Sequence, residues 1–132
     1  MTGEPDLRGR RVLVVEDEYY IATDMADALQ RAGAIILGPC RNEIDALTQL
    51  AKHRPDAVVL DINLGQGVSF KLAEHLNDRG IPFVFVTGYD NGTIPEKFQS
   101  FERLTKPLEL CHILRAISRV VAGNGGAVAM IR

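Results

Sequence analysis

The sequence predicts an α/β domain built on a doubly wound, parallel five-stranded sheet with strand order 2-1-3-4-5. Three observations carry this expectation. Short, almost continuously apolar runs alternate with amphipathic stretches, as in RVLVVE and DAVVLD. Strands covered by helices on both faces lose the in/out alternation of half-exposed strands, so such runs fit a parallel sheet. Five βα units also fit the chain length, with right-handed crossovers between them. Finally, the runs end in polar residues, and open α/β sheets place ligands beyond the carboxyl ends of their strands.

The first strand is expected over residues 11–16. Its helix carries Ile21, Met25, Ala28, Leu29 and Ala32 at helical spacing, with Gly33 placed to end it. Residues 34–38 (AIILG) form the second strand. Asn42 caps the next helix, in which Ile44, Leu47, Leu50 and Ala51 are read as one apolar face, and Pro55 stops it. Residues 56–61 form the third strand, with Asp61 at its end. A helix from Val68 to Arg79 closes at Gly80, and residues 82–87 (PFVFVT) form the fourth strand. Thr93 and Glu96 have capping-box spacing for a short helix within 90–100. Residues 102–105 complete the alternation as the fifth strand. Leu110, Ile113, Leu114, Ile117, Val120 and Val121 then make a stripe ended by Gly123. The domain is therefore assigned to 11–122, with a flexible lead at 1–10 and a flexible tail at 123–132.

Composition narrows the function. The 132 residues are 46% hydrophobic and 24% charged, with a net charge of −2. Such a chain can bury one core without disulfides or a structural metal, and it gives no electrostatic reason to bind nucleic acid or an anionic membrane. Cys40 and Cys111 are far apart and form no CxxC or Cys/His cluster, so both are read as small core residues rather than zinc ligands. The start, MTGEPDLRGRR, has no apolar run of signal-peptide type, and no stretch is long enough to span a bilayer. A cytoplasmic location is expected. His53, His75 and His112 lack ligand-spaced companions and are read as surface or boundary residues.

The chemistry is expected at the strand ends. Glu16 and Asp17 follow VLVV, Asp61 follows AVVL, Thr87 ends the fourth strand and Lys106 follows the fifth. Clustered carboxylates repel one another and call for protons or a cation. Hard oxygen ligands with room for water suit Mg²⁺, which favours phosphate as a co-ligand. An Asp61 oxygen is then a nucleophile toward phosphorus. Lys106 offers a point charge to phosphate oxygens, and the Thr87 hydroxyl a hydrogen bond. Asn63 can present its main-chain carbonyl to the metal, and Gly88 leaves room for the donor.

Four segments, VLVVEDE (12–18), VVLDINL (58–64), FVFVTGY (83–89) and LTKP (104–107), together resemble the receiver domain of two-component response regulators, across residues 10–122. The resemblance implies a flavodoxin-like fold, Asp61 as phosphoacceptor, Mg²⁺ among Glu16, Asp17 and Asp61, and Thr87 and Lys106 as switch residues. It implies a sensor histidine kinase or histidine phosphotransfer protein as donor. The expected chemistry is Mg²⁺-dependent self-phosphorylation and slow autodephosphorylation, without turnover as an enzyme. FVTGY is similar to the Phe-Ala-Thr-Gly-hydrophobic-Tyr receivers typical of alphaproteobacteria. Most receivers carry an aromatic residue three positions before the lysine; here it is Arg103, so output is expected to run through Gly88, Tyr89 and the 90–100 segment. With about ten residues after the last helix, the chain reads as a stand-alone receiver that signals by protein contact to an unknown downstream partner or acts as a phosphate sink. A receiver fragment of a longer regulator is the nearest alternative. A haloacid-dehalogenase-like Mg²⁺-dependent phosphatase is disfavoured because its nucleophile motif DxD belongs on the first strand, whereas Asp61 lies on the third and is followed at that spacing by Asn63.

Overall fold

A computed structural model describes residues 6–61, 70–87, 103–105 and 110–122, with the backbone alone at 87, 103–105, 110 and 111. In chain order the elements are β1 (Arg11–Val15), α1 (Tyr19–Arg31), β2 (Ile35–Cys40), α2 (Glu43–Lys52), β3 (Ala57–Asp61), α3 (Lys71–Asp78), β4 (Phe83–Thr87), β5 (Arg103–Thr105) and α4 (Leu110–Ala122). The strands form one parallel sheet in the order β2-β1-β3-β4-β5, as expected. The expected short helix within 90–100 and the tail 123–132 lie outside the described residues, as does the expected start of the third helix at Val68.

The uninterrupted apolar runs have a direct cause in this packing. Alternate residues of β1, β3 and β4 enter different cores. Leu13, Val15, Val58, Leu60, Phe83 and Phe85 join Ala46 and Leu50 of α2 and Leu72, Ala73 and Leu76 of α3. Val12, Val14, Val59, Val84 and Val86 join Met25 and Leu29 of α1 and Ile113, Ala116 and Ile117 of α4. The aromatic centre is a chain of edge-on rings, with Phe85 at 5.2 Å from Phe83 and 5.8 Å from Phe70 between centroids. Such contacts add to the area that each ring buries.

Three local features differ from expectation. The second strand runs on to Cys40 instead of ending at Gly38, because β2 is bulged: Leu13 pairs with Leu37, but Val15 pairs with Cys40. Gly38 makes the bulge possible at φ 88°, where a Cβ would stand 2.7 Å from the Cys40 nitrogen and 3.0 Å from the Val14 oxygen. The Pro39 that follows is tolerated because β2 is an edge strand.

The apolar face of α2 is also corrected. Asn42 caps it as expected, its Oδ1 accepting from the Asp45 N–H at 2.8 Å. The helix, however, buries Ala46 and Leu50, while Ile44 is 75% and Leu47 42% exposed, and Ala51 is exposed too. Fully buried Ala46 is the residue set against the sheet, and with that side inward the Ile44/Leu47/Ala51 side faces outward.

Within the lead expected to be flexible, one described residue is anchored, Leu7, while Asp6, Arg8, Gly9 and Arg10 are exposed. Leu7 is fully buried and its N–H donates to the Ala32 carbonyl at 2.8 Å. Gly33, at φ 104°, permits the approach, since a Cβ there would lie 2.8 Å from the Arg8 Cα.

Helix polarity sets the charge of the two sheet edges. Three described helices, α1, α2 and α4, carry a cation in the last turn (Arg31, Lys52 and Arg119), matching the negative pole of the helix. In a parallel βα fold those ends gather at the amino edge of the sheet. A cleft of about 210 Å³ at that edge, between Arg10, Arg54 and Asp56, belongs to the same arrangement, as Arg54 donates to the Arg79 carbonyl that ends α3. The opposite, carboxyl edge is left for acidic groups.

Candidate functional site

Glu16 is placed at that edge by the bulge. Its N–H donates to the Cys40 carbonyl at 2.9 Å, which prolongs the β1–β2 pairing one residue past β1. Its side chain is fully buried, and Oε2 accepts from the Glu18 N–H at 3.0 Å. Asp17 is half-buried beside it, and Asp61, the last residue of β3, is only 3% exposed. One carboxylate oxygen from each of Glu16, Asp17 and Asp61 lies within 4.8 Å of the other two. The two strands that deliver them, β1 and β3, are adjacent in the sheet.

Burying like charges this close is unfavourable. Two carboxylates at that spacing repel by roughly 3 kcal/mol at an effective dielectric of about 20, and burial adds a desolvation penalty. A cation removes both problems. The donors are all hard carboxylate oxygens, which fit Mg²⁺ or Ca²⁺ rather than zinc. Cys40 is not a competing ligand: burial first, and then the charge of Asp45, push its thiol up to about 11, so it stays protonated at neutral pH.

The remaining sequence-derived residues divide in two. Thr87 ends β4 one residue beyond Val86, the register partner of Asp61, so its backbone reaches the same edge. Arg103 opens β5 opposite Phe85, and Thr105 lies opposite Thr87. Asn63, Gly88, Tyr89 and Lys106 lie outside the described residues.

Two features escaped the sequence reading. The first is the pair of main-chain groups, Cys40 C=O and Glu18 N–H, that fix Glu16; the Gly-Pro pair inside the second apolar run was the available signal. The second is Tyr19 and Tyr20, 71% and 80% exposed on the first turn of α1, with rings edge-on at 5.3 Å. They directly follow the acidic run.

A doubly wound parallel sheet holds its ligands beyond the carboxyl ends of its strands, and here acids from two adjacent strands meet at that edge, which defines an α/β protein with a cation-binding acidic site. Residues 12–118 match the family described as the response regulator receiver domain, and the chain belongs to that family. It is 32% identical over 111 residues to an uncharacterized response regulatory protein of Shewanella oneidensis, covering 82% of this chain and 47% of that protein. A transcriptional regulatory protein of Mycobacterium tuberculosis, PdtaR, is 27% identical over 117 residues, covering 86% of this chain and 57% of its own length. The chain thus spans about half the length of these curated relatives. Among solved structures, SdrG of Sphingomonas melonis Fr1 superposes with a TM-score of 0.74 at 32% identity, covering 85% of this chain and 96% of that one. The response regulator PhyR of Brucella abortus superposes with a TM-score of 0.75 at 28% identity, covering 89% of this chain and 49% of its own. These relatives have the flavodoxin-like receiver fold, and membership carries a phosphoryl-accepting role in two-component signalling.

Proposed function

We propose that Asp61 is the phosphoacceptor, taking a phosphoryl group from a histidine kinase or a histidine phosphotransfer protein. The observation that carries this reading is the meeting of the Glu16, Asp17 and Asp61 carboxylates within 4.8 Å at the carboxyl edge of the sheet. Glu16, Asp17, Asp61 and the Asn63 main-chain carbonyl would hold Mg²⁺. When bound, Mg²⁺ supplies positive charge for the oxygens of the transferring phosphoryl group. The Asp61 carboxylate oxygen attacks phosphorus in line, the P–N bond to the donor imidazole breaks with its electron pair staying on nitrogen, and an acyl phosphate forms. Burial of Asp61 excludes competing water from the nucleophile. Thr87 and Lys106 then grip the phosphoryl oxygens by a hydrogen bond and a point charge. Among the described residues no helix is long and apolar enough to cross a membrane; a cytoplasmic site of action is part of the proposal.

Treatment with acetyl phosphate and Mg²⁺ is expected to add one phosphoryl group, mapped by peptide mass to Asp61 and lost on chelation. Addition elsewhere, or sustained hydrolysis of a small phosphate ester, would sink the reading.

Output is proposed to run through Gly88, Tyr89 and the segment up to residue 101, by contact with a downstream protein or by draining phosphate from a shared kinase. The support is Arg103, which stands where most receivers carry the reporting aromatic. An added dianion can bias a two-state surface only through differential contacts, and near-complete switching needs about 5.5 kcal/mol. Amide exchange within 88–101 is expected to change when a phosphoryl analogue binds; an unchanged segment rejects this route.

A further inference from the structure

We propose that Gly38, through the bulge it permits in β2, is a positioning residue for the cation site and acts on it through Glu16. This role rests on the reading of Glu16, Asp17 and Asp61 as Mg²⁺ ligands. Leu13 stands opposite Leu37, so a regular ladder would set Val15 opposite Pro39; instead Val15 stands opposite Cys40. The extra residue brings the Cys40 carbonyl to the Glu16 N–H at 2.9 Å. Pairing of β1 with β3 ends one residue earlier, at Val15 and Leu60, so this bond anchors the Glu16 backbone from the β2 side. Bulges beside a site commonly re-aim a side chain in this way. The Glu18 N–H, at 3.0 Å from Oε2, then steadies the carboxylate itself. Groups that fix a ligand from behind it carry much of a metal's affinity.

Only glycine suits the bulge. At φ 88° a Cβ on residue 38 would meet the Cys40 nitrogen at 2.7 Å and the Val14 oxygen at 3.0 Å. Both are main-chain atoms and cannot rotate aside. Relief of the clash moves β2 off the end of β1, where Glu16 follows. Gly38 is itself exposed, so alanine there removes no core packing. The coupling is also reciprocal. Opening of β2 at Cys40 breaks the bond to Glu16, and a cation that holds Glu16 opposes that opening.

Mg²⁺ titration of the full chain, followed by backbone amide NMR shifts, tests this role. Gly38→Ala is expected to weaken Mg²⁺ binding about tenfold. Gly33→Ala is the matched control. It is strained in the same way, at φ 104° with a Cβ 2.8 Å from the Arg8 Cα, but lies beyond the opposite end of β2. It should lose stability and keep the wild-type Mg²⁺ affinity. Amide exchange of the wild type gives a second readout that needs no substitution. Mg²⁺ at about ten times its Kd should slow exchange of the Glu16 N–H about tenfold. The Ile35 N–H, which donates to the Arg10 carbonyl at 2.7 Å at the other end of the same ladder, should be slowed less. A Gly38→Ala protein that binds Mg²⁺ no more weakly than Gly33→Ala overturns the role, and so does equal slowing at Glu16 and Ile35. In either case, phosphoryl transfer to Asp61 in the wild type would leave the phosphoacceptor reading standing. A wild type with no response to Mg²⁺ would defeat both.

Discussion

Asp61→Asn is expected to abolish phosphoryl acceptance from acetyl phosphate while raising the stability of the metal-free protein. Both effects follow from the same geometry. The amide oxygen is a far weaker nucleophile than a carboxylate, so the mass gain disappears. The substitution also removes one of the charges gathered within 4.8 Å in a buried cluster. Relief of that repulsion is worth about 1–3 kcal/mol, measured by urea unfolding in the presence of a chelator. Added Mg²⁺ should reverse the order, because it stabilises the wild type by binding its folded form and the variant less. A variant that is less stable than the wild type without metal, and responds equally to Mg²⁺, would show that the carboxylates are not coupled through a cation.

The largest structural effect is expected from Phe85→Ala, at about 3–5 kcal/mol of lost stability. Phe85 is fully buried and its ring stands edge-on to both Phe83 and Phe70. Truncation loses the transfer free energy of the ring, opens a cavity and breaks both ring contacts. The melting temperature should fall by roughly 10–20 °C, read by calorimetry. Phe85 belongs to β4, which pairs with the strand carrying Asp61. Phosphoryl acceptance should therefore suffer at temperatures where the wild type is unaffected. A loss below about 1 kcal/mol would mean that the centre of the core lies elsewhere.

Much of the fold was legible because its strands are buried on both faces. Val12 to Val15 and Val58 to Leu60 read as continuous apolar runs, and each run alternates between the two cores. The acidic cluster was legible for a related reason. A charged residue directly after such a run must sit at the carboxyl edge of the sheet, and the 2-1-3 strand order then brings Glu16 and Asp61 together.

Other features depended on information that periodicity does not hold. The 3.6-residue spacing in α2 fits two adjacent sides that share Leu50, one with Ala46 and one with Ile44, Leu47 and Ala51, and the larger count of apolar residues favoured the second. Packing buries Leu50 as expected but sets Ala46 beside it, leaving Ile44 outward. Similarly, a Gly-Pro pair reads as the end of a strand, whereas the ladder to β1 carries the chain through a bulge to Cys40.

By itself the sequence determined the parallel α/β architecture and the acidic residues at its carboxyl edge, because local pattern dictates which strands are covered on both faces and where they stop. Only the tertiary structure decided how closely those acids approach, which main-chain groups hold Glu16, and which face of α2 is left to solvent. Those outcomes depend on register and on the closeness of helix-to-sheet packing, and both are set by contacts between residues far apart in the chain.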